Sequence, residues 1–167
     1  MIIKSLKLKN YRNYELLNMA FDSRTNILYG DNAQGKTNIL EASYLSGTTK
    51  SHRGTKDRDM IRFGEEESHI ETIVEKNGVD FQIDMHLKKN SPKGIAVNKI
   101  PIRKASELFG LIHFVFFSPE DLNIIKEGPA GRRRFVDLEL SQLDRVYLNN
   151  LANYNRAVNQ RNSLLKE

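Results

Sequence analysis

The feature that most constrains this chain is the run Gly30-Asp31-Asn32-Ala33-Gln34-Gly35-Lys36-Thr37, which satisfies G-x-x-x-x-G-K-[ST] at every fixed position. The spacing has a chemical reason. Two glycines let the backbone curl so that successive N–H groups converge on phosphate oxygens, which Cβ atoms would otherwise crowd. Lys36 reaches the outer phosphates, and the Thr37 hydroxyl can ligate Mg²⁺. The flanks fit as well. Ile27-Leu28-Tyr29 is a short apolar segment ending at a glycine, which predicts a buried strand. Asn38 follows within a segment predicted as helix to about Leu45, stopping near Gly47. A bound phosphate would then sit at the positive end of a helix dipole.

Composition matters mainly for what it excludes. The 167 residues include no cysteine, so there is neither a disulfide framework nor a thiolate metal site. Lys+Arg number 26 against 21 Asp+Glu, and the net +5 permits a polyanionic partner without requiring one. The start, MIIKSLKLKN, lacks the apolar core of a signal peptide, and no apolar run approaches the ~20 residues that span a bilayer. A cytoplasmic protein without membrane contact is expected.

Residues 2–8 alternate apolar and polar, and residues 16–21 do so less strictly. With turn formers at Asn10 and Asn13 between them, a two-stranded ribbon is expected ahead of the phosphate loop. Residues 69–97 read as three more strands, with Asn77-Gly78 as a strong hairpin signal. Their alternation predicts an antiparallel appendage with one wet face. Residues 111–117, LIHFVFF, are nearly unbroken apolar and are expected as a strand covered on both faces. Ser118-Pro119-Glu120-Asp121 then reads as a helix start. The sum is an α/β core. Beyond Gly128-Pro129, the residues Val136, Leu140, Leu143, Tyr147, Leu151, Tyr154 and Val158 keep heptad-type spacing, with Asp144 placed to cap a break. A stripe with no later segment to cover it reads as part of a longer protein.

Some signals are ambiguous. Residues 48–58, TTKSHRGTKDR, are either a solvated loop or a surface facing phosphates, of nucleotide or of nucleic acid. Lys50, Arg53 and Lys56 are the candidate DNA contacts. Asn98-Lys99-Ile100-Pro101 begins like the guanine-reading NKxD motif but carries Pro where the Asp must accept hydrogen bonds. Glu120 follows an apolar run as a magnesium-binding acid would, although Ser118-Pro119 intervenes.

KLKNYRNY, ILYGDNAQGKTNILEA, KSHR, FFSPEDL, GRRRFVD and QRNSLLK together resemble the RecF family of bacterial DNA-repair ATPases, itself similar to the SMC-type branch of the ABC ATPases. The resemblance covers essentially the whole chain, and GDNAQGKTN with FSPEDL is its most specific part. It implies half of a P-loop NTPase head of the ABC type, over residues 1–130, carrying the phosphate loop at 30–37 and the β appendage at 69–97. The start of a helical arm would occupy 131–167. It implies ATP and Mg²⁺ as cofactors, with residues 30–37 and Asn38 around the nucleotide and Thr37 on the metal. Arg12 falls where related ATPases place an arginine near the nucleotide. Ser118 stands where relatives carry the Q-loop glutamine, leaving Glu120 or a water as substitute. The implied partners are duplex DNA or a duplex/single-strand junction, a second copy bridged by ATP, and RecR and RecO. A signature motif and a strand ending in Asp-Glu are missing, so no catalytic residue is assigned. Two other readings compete: a small P-loop kinase with residues 131–134 (GRRR) as lid arginines, and a nucleic-acid module with a vestigial loop.

Overall fold

The alternating N-terminal residues form β1 (Ile2–Tyr11), which doubles back into β2 (Tyr14–Ala20). An antiparallel ribbon has a second open edge, and an unpaired edge leaves backbone groups without partners. That edge of β1 is taken by β3 (Glu67–Lys76), in a register that sets Leu6 against Thr72 and Leu8 against Ile70. β4 (Val79–Lys88), β5 (Gly94–Val97) and β6 (Ile100–Pro101) complete one antiparallel sheet in the order β2-β1-β3-β4-β5-β6. The strands expected as an antiparallel appendage extend the N-terminal ribbon. These elements come from a computed structural model that describes residues 1–104, 107–118, 123–126 and 128–166.

Two tight turns shape the sheet. Asn77 and Gly78 both have positive φ (54° and 77°), as the predicted two-residue hairpin requires. Asn98 and Lys99 do the same (50° and 64°) between β5 and β6, and the Asn98 side chain accepts a bond from the Gln82 amide. The NKIP quartet is thus a hairpin turn.

One face of the sheet is apolar. Leu6, Leu8, Ile70, Val74, Ile83, Met85 and Leu87 are buried there, each worth about 1.5–3 kcal/mol relative to exposure. α1 (Lys36–Thr48) packs on this face, with Ser46 Oγ 2.6 Å from Thr72 Oγ1. Nine of its residues are buried, and its hydroxyls at Ser43, Ser46 and Thr48 are satisfied by carbonyls one turn earlier.

The two apolar runs expected as buried strands are not strands. Residues 27–29 pair with nothing among the described residues, and Ile27 and Tyr29 are exposed. Residues 111–117 make only the isolated bridge Phe109↔Ile112, and Val115 and Phe117 are exposed. A doubly covered strand needs hydrogen-bonding neighbours, and hydrophobicity alone does not supply them. The 109–118 segment is held instead by Gln142, whose side-chain amide donates to the Phe114 carbonyl and accepts from its N–H. The chain divides into two compact units at Leu108/Phe109.

The second unit, Phe109–Glu167, contains α2 (Asn123–Lys126), α3 (Pro129–Leu143) and α4 (Arg145–Leu164). The helix start expected at Pro119, Glu120 and Asp121 lies outside the described residues. Asp144 leaves the helical region and caps α4 by accepting from the Val146 amide. The heptad stripe therefore bends. In a straight helix Asp137 and Tyr147 would lie ~15 Å apart, yet the Tyr147 hydroxyl donates to Asp137 at 2.5 Å. No residue of α4 is buried.

Candidate nucleotide-binding site

The loop 30–37 has the backbone its sequence requires. Gly30, Ala33 and Gly35 have positive φ (139°, 65° and 96°), and Gly35 is the residue from which α1 begins. Gly35 offers no side chain to cap the helix, so the first N–H groups of α1 point toward the loop mouth. The glycine is needed for φ, and a side chain there would also displace its neighbours. A Cβ there would come within 2.6 Å of the Asn13 amide and 2.8 Å of the Tyr14 hydroxyl. Both groups belong to the β1–β2 turn, and both donate to the Gln34 carbonyl at 3.2 Å. Partial burial pushes the Tyr14 hydroxyl up from its ordinary pKa, keeping it a donor. The loop is therefore braced from outside by the ribbon.

Inside the loop the Lys36 ammonium donates to the carbonyls of Gly30 and Asp31. A pocket of about 260 Å³ is lined by Asn13, Asn32, Ala33, Gly35, Lys36, Thr37, Asn38 and Arg53. The sequence assigned all of these except Asn13 and Arg53 to the nucleotide; Arg53 was named as a DNA contact, within a segment read as facing phosphates of either nucleotide or nucleic acid. Its guanidinium reaches the Asn38 side chain at 3.4 Å, and Asn38 in turn donates to Asn13. Two cations and a helix N-terminus thus meet at one small polar pocket, the electrostatic arrangement that anionic phosphate seeks. A groove of about 880 Å³ adjoins it through Asn13 and Asn38, lined further by Arg12, Arg58, Ile61, Arg62 and the fully exposed Phe63.

Arg12 lines that groove and is largely buried against Glu41 of α1. It donates to both carboxylate oxygens of Glu41 (2.9 and 2.7 Å), to Thr55, and to the Asp59 carbonyl. Glu41 is fully buried and also accepts from Ser51. Burial pushes the Glu41 carboxyl up, but the bonds from Arg12 and Ser51 outweigh it and hold the group below its ordinary range. Nothing in the sequence marks Glu41, because a helix acid is usually a surface residue. Of the other proposed contacts, Lys50 and Lys56 are exposed, Ser118 is buried, and Glu120 lies outside the described residues. On the N-terminal ribbon, Lys4 pairs with Glu75 and Asp80 and Lys7 pairs with Glu71.

A glycine loop wrapped around a helix N-terminus, beside a sheet that braces it, defines a P-loop ATPase head of the ABC/SMC type. The sequence matches the AAA ATPase domain family over residues 1–166, and the chain belongs to that family. It is 70% identical over 167 residues to the DNA replication and repair protein RecF of Agathobacter rectalis, and 47% identical to that of Clostridium tetani. In both cases the match covers all of this chain and 46% of the relative, so the chain spans about half the length of these relatives. A structure of the recombination mediator protein RecF-ATP in the RecFOR pathway superposes with a TM-score of 0.93 at 37% identity, over 99% of this chain and 46% of that one. An SMC head domain from Thermotoga maritima superposes at 0.52 with 25% identity, over 62% of this chain and 39% of that one. No described helix is long and apolar enough to cross a membrane.

Proposed function

We propose that this chain is the nucleotide-binding part of a RecF-like ATPase of DNA repair and replication, and that it holds ATP with Mg²⁺ in the loop 30–37. The observation that carries the reading is the meeting of Lys36, Thr37 and Arg53 in one pocket at the start of α1. Similarity to a RecF protein solved with ATP supports it. Lys36 would serve the outer phosphates, Thr37 would give Mg²⁺ one ligand, and the backbone N–H groups of the loop would take the remaining phosphate oxygens. The adjoining groove gives the nucleoside a place, with Phe63 as an apolar platform. Arg12, bound to Glu41, then acts on the site by holding α1.

Hydrolysis by such sites is mainly positioning and charge stabilisation. No described residue lining the phosphate pocket is a carboxylate. The chain alone therefore binds ATP and turns it over negligibly, while the whole protein hydrolyses it slowly as an ATP-bridged dimer that grips DNA, with RecR and RecO as partners. Lys50 and Lys56, both exposed, would face DNA phosphates. The kinase reading loses its lid, since residues 131–134 lie within α3. Retention of labelled ATP on filters by the purified chain, dependent on Mg²⁺, tests the proposal; no retention would reject it.

A further inference from the structure

We infer that Glu41 is a positioning residue for the nucleotide site, holding Arg53 at the phosphate pocket through Ser51. This rests on the ATP-binding reading. Glu41 lies one turn past Thr37 on α1, with a fully buried side chain. A buried carboxylate persists only where partners offset its desolvation, and here they are specific. Arg12 grips it with two bonds, and Ser51 Oγ donates to it at 2.5 Å. The same Ser51 Oγ accepts from the Arg53 backbone N–H at 3.1 Å. Carboxylate, hydroxyl and amide thus form one line running from the interior of α1 to the residue whose guanidinium reaches Asn38 at the pocket.

The direction of each bond matters. An ionised Glu41 accepts only, so it turns the Ser51 hydroxyl hydrogen inward and leaves the oxygen lone pairs for the Arg53 amide. A glutamine at 41 offers one acceptor and one donor in place of two acceptors. It cannot satisfy Arg12 and Ser51 together in this arrangement. The Thr49 C-cap (φ 61°) turns the chain out of α1, and the Ser51 bonds fix where it goes next. Arg53 is otherwise solvent-exposed, and a long exposed side chain has no reason to stay in one place.

The test is a double-mutant cycle read by calorimetric titration with MgATP. Glu41→Gln, Ser51→Ala and Arg53→Ala are each made, along with the Glu41→Gln/Arg53→Ala and Ser51→Ala/Arg53→Ala pairs. Each single change is expected to weaken ATP about tenfold, the loss of one charge-assisted bond, and each pair no further than Arg53→Ala alone. Ser51→Ala removes one hydroxyl and carries the same test if Glu41→Gln does not fold. A merely structural Glu41 would lower the melting temperature yet leave the affinity of the folded protein unchanged. Unchanged affinity in Ser51→Ala, or losses that add fully in the pairs, would overturn the inference. A wild-type chain that binds no ATP would remove the ATP-binding reading as well.

Discussion

The Tyr14 hydroxyl donates to the Gln34 carbonyl at 3.2 Å, joining the turn of the first ribbon to the middle of the phosphate loop. With Asn13 on the same oxygen, two donors hold one peptide unit of the loop. Tyr14→Phe should therefore weaken MgATP about three- to tenfold, the worth of one neutral hydrogen bond, with a small change in melting temperature. Gly35→Ala should lose binding altogether, since the new Cβ meets Asn13 and Tyr14 at under 3 Å and φ is left-handed. Normal titration by Gly35→Ala would show that the bracing is incidental.

The Arg12–Glu41 pair predicts how stability depends on pH. The Glu41 carboxyl is held below its ordinary value in the folded chain, so its contribution is complete above the unfolded pKa, ~4.3. It is lost as pH falls through the lower folded value. Arg12→Ala leaves a buried charge unpaired and should cost about 3–5 kcal/mol at pH 7, with the deficit shrinking below pH ~4. Urea melts of wild type and Arg12→Ala at pH 7 and pH 3.5 check this. A deficit that does not change with pH would mean that the pair contributes only by packing.

How far the sequence told this in advance varies by element. The phosphate loop was legible because its residues do their chemistry where they stand, and Asn77-Gly78 because a turn is local. Glu41 was not, since its role depends on where the β1–β2 turn places Arg12, and periodicity carries no such information. Arg53 was noticed for its charge, but the fold shows the pocket that charge faces. Residues 27–29 and 111–117 misled for the opposite reason. Their hydrophobicity signals a need to be covered, and pairing among the described residues does not meet it. Asn98-Lys99 was weighed as a nucleotide motif when its left-handed backbone makes it a turn.

The apolar stripe makes a prediction about association. Leu143 and Tyr154 of the stripe are exposed at 73% and 66%, and Tyr147 is tied back to Asp137. Exposed apolar side chains in a row promote association. Light scattering of the chain should show mass rising with concentration, and Leu143→Glu with Tyr154→Glu should suppress the rise. A monomer at all concentrations would show the stripe to be harmless.

DNA should bind through phosphates and without base preference. Lys4 and Lys7 are already paired within the sheet, whereas Lys50 and Lys56 are exposed and are the contacts to test. The chain alone should bind duplex DNA at ~10⁻⁴–10⁻⁶ M, falling steeply with salt, and Lys50→Ala/Lys56→Ala should flatten the slope of log affinity against log salt by about 1–2. An unchanged slope would clear both lysines of contact.

The most direct measurement is the melting temperature of the wild type and of Lys36→Ala, each with and without MgATP. Lys36 faces the loop mouth rather than the core, so the mutant should fold. At ATP 100 times its dissociation constant the wild type should gain ~2.7 kcal/mol, several degrees in a chain of this size, and Lys36→Ala almost nothing. A mutant that keeps the full shift, or a wild type that shows none, would contradict the assignment of residues 30–37 as the ATP site.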